Sequence, residues 1–166
     1  MTIDNSPAID RLRHGKFVHP DLTATGEPRA MVGLERLETL WFNTGTLCNI
    51  ACVNCYIEST PTNDRLAYLT AADVRPFLDD IVKRGVGTRE IGFTGGEPFL
   101  NPEFLAMLGD ALDRGFEVLV LTNAMQPMMR PRVKAGLLKL RDQHGDRLRL
   151  RVSLDHYTAE LLTGLS

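Results

Sequence analysis

This sequence predicts an α/β fold built on a parallel sheet, and three observations carry the prediction. Short apolar runs alternate four times with segments of helical periodicity. That alternation calls for right-handed strand–helix–strand crossovers, which make neighbouring strands parallel. Polar and glycine-rich residues collect just after the apolar runs, where parallel sheets of this kind build their sites. The 166 residues are 43% hydrophobic and 24% charged, with a net charge of −2, enough apolar content for the core of one soluble domain. The near-neutral charge gives no electrostatic footprint for nucleic acid. No apolar run approaches the roughly 18 residues of a membrane span. The N-terminus lacks the basic-then-apolar layout of a secretory signal, so the chain is expected in the cytoplasm, where thiols stay reduced.

Residues 1–36 read as an N-terminal extension without a chemistry-bearing motif. Residues 8–13 suit the start of a short helix. Residues 16–18 and 29–32 read as short strands of an outer hairpin or a partly ordered arm, parted by Pro20 and Gly26-Glu27-Pro28. His14 and His19 read as surface residues. The regular part spans 37–166. Residues 39–43 form a continuous apolar run suited to a strand buried on both faces. The polar cluster 59–64 is a loop, and Thr70-Ala71-Ala72-Asp73 is a capping start for a helix. Val74, Phe77, Leu78, Ile81 and Val82 recur at helical spacing as its inner face, with Asp79, Asp80, Lys83 and Arg84 outside. Pro76 shifts or kinks the start of that helix, and Gly85 and Gly87 end it.

Residues 90–94 are the second strand. Asn101-Pro102-Glu103 supplies a cap followed by proline at the first helical position. Phe104, Leu105, Leu108, Ala111 and Leu112 then make an apolar face that Gly115 closes. Residues 116–123 are the third strand, 132–141 a third helix with a basic outer side, 148–155 the fourth strand, and 158–162 the beginning of a fourth helix.

All three cysteines, Cys48, Cys52 and Cys55, lie in the loop after the first strand. Thiolates this close converge readily on one metal centre, and iron–sulfur clusters are held by such runs, usually of four. With three, one iron of a 4Fe–4S cluster lacks a protein ligand and is open to a small molecule. The spacing i, i+4, i+7 also fits the buried face of a helix, but Gly45, Asn49, Asn54, Thr44 and Thr46 give the segment loop composition. Structural zinc usually takes paired knuckles, of which there is one, and the odd cysteine count speaks against a disulfide. The second feature is Ile91-Gly92-Phe93-Thr94-Gly95-Gly96-Glu97-Pro98, an apolar strand running into a glycine pair. Such a turn lets backbone approach a ligand closely and leaves amide and carbonyl groups free to grip it.

Together the two motifs resemble the radical S-adenosylmethionine (SAM) superfamily, whose members carry Cys-x3-Cys-x2-Cys after the first strand and Gly-Gly-Glu-Pro after the second. The resemblance runs from about residue 37 to the end of the chain. It implies a partial TIM-type (β/α) barrel of six strand–helix units, of which about four are present here. It also implies that Cys48, Cys52 and Cys55 bind a 4Fe–4S cluster and that SAM chelates the remaining iron. Gly95, Gly96 and the backbone at Glu97 would hold the amino end of its methionine. Tyr56 would pack near the adenine, with Asn123, Ser153 and Asp155 near the ribose or substrate. Leu40, Trp41, Phe42, Ile50 and Phe93 are expected as a dry shell around the cluster.

The implied chemistry is reductive cleavage of SAM to a 5′-deoxyadenosyl radical that abstracts hydrogen from an unidentified peptide or small metabolite. A flavodoxin or ferredoxin would act as reductant. Asn54 stands where the family usually has an aromatic residue, which weakens adenine packing. The glycine-rich fifth-strand motif has no counterpart, so a fragment or truncated product is expected, with an unpaired edge on the fourth strand as an aggregation risk. The alternatives are a non-catalytic three-cysteine zinc or iron module, which has no need of Gly95-Gly96-Glu97-Pro98, and an inactive truncated remnant.

Overall fold

The computed structural model describes residues 19–154. The chain divides into two units, Met1–Glu35 and Arg36–Ser166. In the first, the described stretch is a tight turn closed by an antiparallel Leu22–Pro28 bridge. Thr23 N–H donates to Glu27 O and Arg29 N–H to Asp21 O, both at 2.8 Å. Residues 29–32 form no strand, because Pro28 has no N–H with which to continue the ladder. The helix expected at 8–13, the strand at 16–18, His14, Asp155 and the helix at 158–162 lie outside the described residues.

The second unit is a parallel sheet of β1 (Thr39–Asn43), β2 (Glu90–Thr94), β3 (Glu117–Thr122) and β4 (Leu148–Val152), in that order. The connecting helices are α1 (Ala71–Arg84), α2 (Phe104–Asp113), the four-residue α3 (Gln126–Met129) and α4 (Pro131–His144). Sheet order equals chain order, so every crossover steps one strand in the same direction, as in the wall of a (β/α) barrel. Among the described residues, four strands and the three helical crossovers between them are therefore in place. Among the described residues no helix is long and apolar enough to cross a membrane.

Register fixes where the core lies. Leu40, Ile91, Val118 and Leu148 are cross-strand neighbours, as are Phe42, Phe93 and Val120. Alternation points both rows to one face, and the helices cover that face. Phe93 stacks on Phe42 with ring centres 5.7 Å apart and meets Phe104 of α2 edge-on at 5.4 Å. Phe42 and Phe93 thus build the core under the helices and not the expected shell around the cysteines. The opposite face carries Trp41, Gly92, Leu119 and Arg149 in one row. Trp41 is 43% exposed and lies over Gly92, where a Cβ would stand 2.4 Å from its ring. Among the described residues β1 is covered on its helix face alone, not on the two faces its continuous apolar run implied.

The start of α1 matches its sequence signal. Thr70 Oγ1 accepts Asp73 N–H, the Asp73 carboxylate accepts Thr70 N–H, and Pro76 shifts nothing. Gly85 closes the helix at φ 59°. Val74, Leu78 and Ile81 are buried as expected, but Phe77 and Val82 are more than half exposed. They sit on the flanks of a stripe narrower than the apolar spacing implied, although Phe77 still edges Phe42 at 5.9 Å. α2 begins two residues late, because Pro98–Leu100 first makes a 3-10 turn. Asn101 is then no helix cap. Its Oδ1 accepts Glu103 N–H, its amide donates to Leu69 O at 2.8 Å, and Glu103 accepts Ala71 N–H at the start of α1. Met107, unmarked in the sequence reading, is fully buried.

Replacing the α1 cap, Thr70→Ala, is expected to cost about 1 kcal/mol. The readout is a lower urea midpoint with an unchanged slope.

Candidate metal centre

The loop from β1 to α1 is tied down at both ends of its cysteine segment. Cys48 N–H donates to Thr60 O at 3.1 Å beside a Leu47–Thr60 bridge, and Leu66 N–H donates to Thr46 Oγ1. Residues 48–60 therefore form a closed excursion with neighbouring ends. Inside it, Cys55 N–H donates to Cys52 O and Ser59 N–H to Cys55 Sγ at 3.2 Å. The three cysteines carry no disulfide; Cys48 is buried, Cys52 and Cys55 half-buried. Burial pushes the Cys48 thiol up, helped by the charges of Glu97 and Cys52 and opposed by backbone bonds at Ile50 and Asn49. Among the described residues, no three Cys, His, Asp or Glu side chains stand close enough as placed to enclose an ion.

The glycine turn has a structural job besides the one the sequence suggested. Two of its amides are engaged: Gly96 N–H donates to Gly45 O at 2.9 Å and Glu97 N–H to Leu47 O at 3.0 Å. A Cβ on Gly95 would stand 2.7 Å from Thr44 Oγ1, and one on Gly96 2.2 Å from Leu47 O. What comes close to these glycines is the backbone of the cysteine loop. The turn after β2 and the cysteine loop are thereby one hydrogen-bonded body.

Glu97 extends that body to β3. Its side chain is 1% exposed. One carboxylate oxygen accepts Phe99 N–H at 3.1 Å, the other Asn123 N–H at 2.9 Å, and the Thr122 hydroxyl lies within 3.0 Å of both. Burial raises its pKa, while the bonds from Asn123, Phe99 and Thr122 pull the other way.

Of the residues singled out in the sequence, Cys48, Gly95, Gly96, Glu97 and Asn123 are brought together. Asn123 Nδ2 reaches Cys48 Sγ at 3.8 Å. Ser153 stands just past β4, exposed, with its N–H on Thr122 O. Tyr56 is 81% exposed. The sequence places Thr122 with Asn123 at a strand end but gives it no role, and it marks neither Asn49 nor Ser59 for the site, since a polar residue in a loop has no distinguishing spacing. The donor set fits a thiolate-bound cluster: three cysteines on one closed loop, none in a disulfide, with the buried Ser59 hydroxyl lacking a partner next to the N–H that meets Cys55 sulfur.

The sequence profile of the radical SAM superfamily matches residues 42–163. The chain is 33% identical over 87 residues to the S-adenosylmethionine-dependent nucleotide dehydratase of Selenomonas ruminantium, covering 51% of this chain and 30% of that protein. It is 31% identical over 114 residues to the antilisterial bacteriocin subtilosin biosynthesis protein AlbA of Bacillus subtilis, covering 69% of this chain and 23% of that one. Streptococcus suis SuiB bound to S-adenosylmethionine superposes with a TM-score of 0.63 at 19% identity, over 79% of this chain and 28% of that one. SuiB has also been solved bound to its precursor peptide SuiA. This chain spans less than a third of each of these proteins.

Gly96→Ala is expected to push the cysteine loop off β2. Hydrogen exchange should show the Glu97 amide losing protection, with a stability loss of about 1–3 kcal/mol. Glu97→Gln must set an NH2 against a main-chain N–H, because both carboxylate oxygens accept one, and is expected to cost about 1–3 kcal/mol at neutral pH. The raised pKa gives the pH dependence its sign. Stability contributed by the neutral form is complete below the ordinary value of 4.5 and falls as pH climbs through the raised folded value. Urea midpoints across pH should show that fall in the native chain and not in Glu97→Gln.

Proposed function

The chain belongs to the radical SAM superfamily, and we propose that its cysteine loop carries a 4Fe–4S cluster at which SAM is bound and cleaved. Residues 37–166 are assigned to the core that surrounds the cluster, and residues 1–36 to an extension of it. One observation carries the reading most. The two family motifs, 40 residues apart in sequence, are joined directly by the bonds from Gly96 and Glu97 to Gly45 and Leu47.

Cys48, Cys52 and Cys55 would hold the cluster as thiolates. When bound, the cluster supplies the electron that cleaves SAM to methionine and a 5′-deoxyadenosyl radical able to take a hydrogen atom from substrate. The protein's own part is placement. With the Gly96 and Glu97 amides committed to the loop, the turn has carbonyl oxygens at Gly95 and Gly96 to offer, and an ammonium group needs acceptors. That matches the amino end of methionine. Tyr56, on the rim of the loop, would cover adenine once it folds over the site. Ser153 and Asp155 would meet the ribose or the substrate, and Asn123 shares that rim.

A flavodoxin or ferredoxin in the cytoplasm is the reductant this chemistry calls for. Substrate classes among the relatives include a nucleotide and a precursor peptide, and either suits a site at the open ends of parallel strands.

Anaerobic reconstitution tests the reading. The native chain should take up iron with a cluster absorption band, and SAM should shift the paramagnetic resonance spectrum of the reduced form. Cys48→Ala, Cys52→Ala and Cys55→Ala should each drop iron to background. A variant keeping full iron, or a native chain that binds zinc in place of iron, would refute the ligand assignment.

A further inference from the structure

Asn123 meets the cysteine loop through a contact that the proposed function does not use. Its Oδ1 accepts Met125 N–H at 3.0 Å. A main-chain N–H only donates, so the oxygen must face Met125 and the amide nitrogen must face the loop. There Nδ2 lies 3.8 Å from Cys48 Sγ and donates to Asn49 Oδ1 at 3.0 Å. The backbone is held as tightly as the side chain. Asn123 N–H donates to buried Glu97, and Ala124 N–H donates to Thr122 Oγ1 at 3.0 Å. Ala124 occupies the left-handed region at φ 55°, a conformation a residue with a Cβ seldom adopts without outside restraint. These restraints aim one amide group at one sulfur.

We infer that Asn123 is a positioning residue for the cluster, its amide hydrogen-bonding the Cys48 sulfur and raising the cluster's reduction potential. The inference rests on Cys48 being a cluster ligand. Hydrogen bonds to cluster sulfurs withdraw negative charge and favour the reduced, more negative state. The neighbourhood makes that useful. Cys48 is buried, and burial disfavours any added negative charge. The amide of Asn123 stands on the same strand end as the groups that hold Glu97 and opposes that effect at the sulfur itself. Its role is thus on the ligand sulfur rather than on the ribose.

The test uses the chain labelled with 15N-asparagine, reconstituted anaerobically and reduced, alongside Asn123→Asp and Asn123→Ala. Asn123→Asp keeps an oxygen for Met125 N–H, which preserves the turn, and replaces the donor with an acceptor facing Asn49 Oδ1 and Cys48 Sγ. Pulsed paramagnetic resonance should find a 15N coupling to the cluster that vanishes in Asn123→Asp, and potentiometry should find a lower midpoint in both variants. Full iron content with a 15N spectrum unchanged in Asn123→Asp would overturn the inference, as would an unchanged midpoint in Asn123→Ala. A native chain that takes up no iron would instead overturn the cluster reading, and this inference with it.

Discussion

The structure depends on two hydrogen bonds that only a missing side chain allows. Gly96 and Glu97 donate to Gly45 and Leu47 because no Cβ keeps the two backbones apart. Each bond is worth on the order of 1 kcal/mol in stability, yet together they decide where the cysteine loop sits. The loop cannot lift away from β2 without orphaning two amides. Glu97 then carries the constraint sideways, its carboxylate binding the ends of β2 and β3 into the same body. The chemistry at the carboxyl ends of the strands thus stands on main-chain bonds, with a buried acid as their brace.

The sheet beneath is one-sided, and its two faces are built by different physics. The helix side is a close-packed core whose centre is the Phe42, Phe93 and Phe104 cluster. The other side is held by charge. Arg149 reaches from β4 to Glu90 of β2 and Glu117 of β3. Half-exposed pairs of this kind add little stability, about 0–1 kcal/mol each. They contribute register instead, because a slip of one residue would turn Arg149 to the apolar face.

Much of this was legible in the sequence, for reasons that can be stated residue by residue. β1, β2 and the start of α1 fall where the apolar runs and the Thr70–Asp73 box put them, since local pattern and tertiary demand agree there. Asn101-Pro102-Glu103 misled because a proline-initiated 3-10 turn precedes it and recruits Asn101 for tying loops together. Trp41 looked like core because period alone does not say whether a strand has one covered face or two. The glycine pair was read for its freedom toward a ligand, and its close approach to the chain itself shows only in the fold. Nothing in a single sequence gives Thr122 its partner or Asn123 its aim, which arise only when β3 is laid beside the loop.

The alternation Leu148-Arg149-Leu150-Arg151-Val152 has a consequence for colloidal behaviour. Among the described residues β4 pairs with β3 alone, and an open strand edge is a template for another chain. In a symmetric antiparallel pairing of two copies, like faces align and arginine must oppose arginine. Among the described residues the ion pairs of this strand are those of Arg149, and their acids belong to its own sheet. The strand is thus its own gatekeeper, turning copies of itself away.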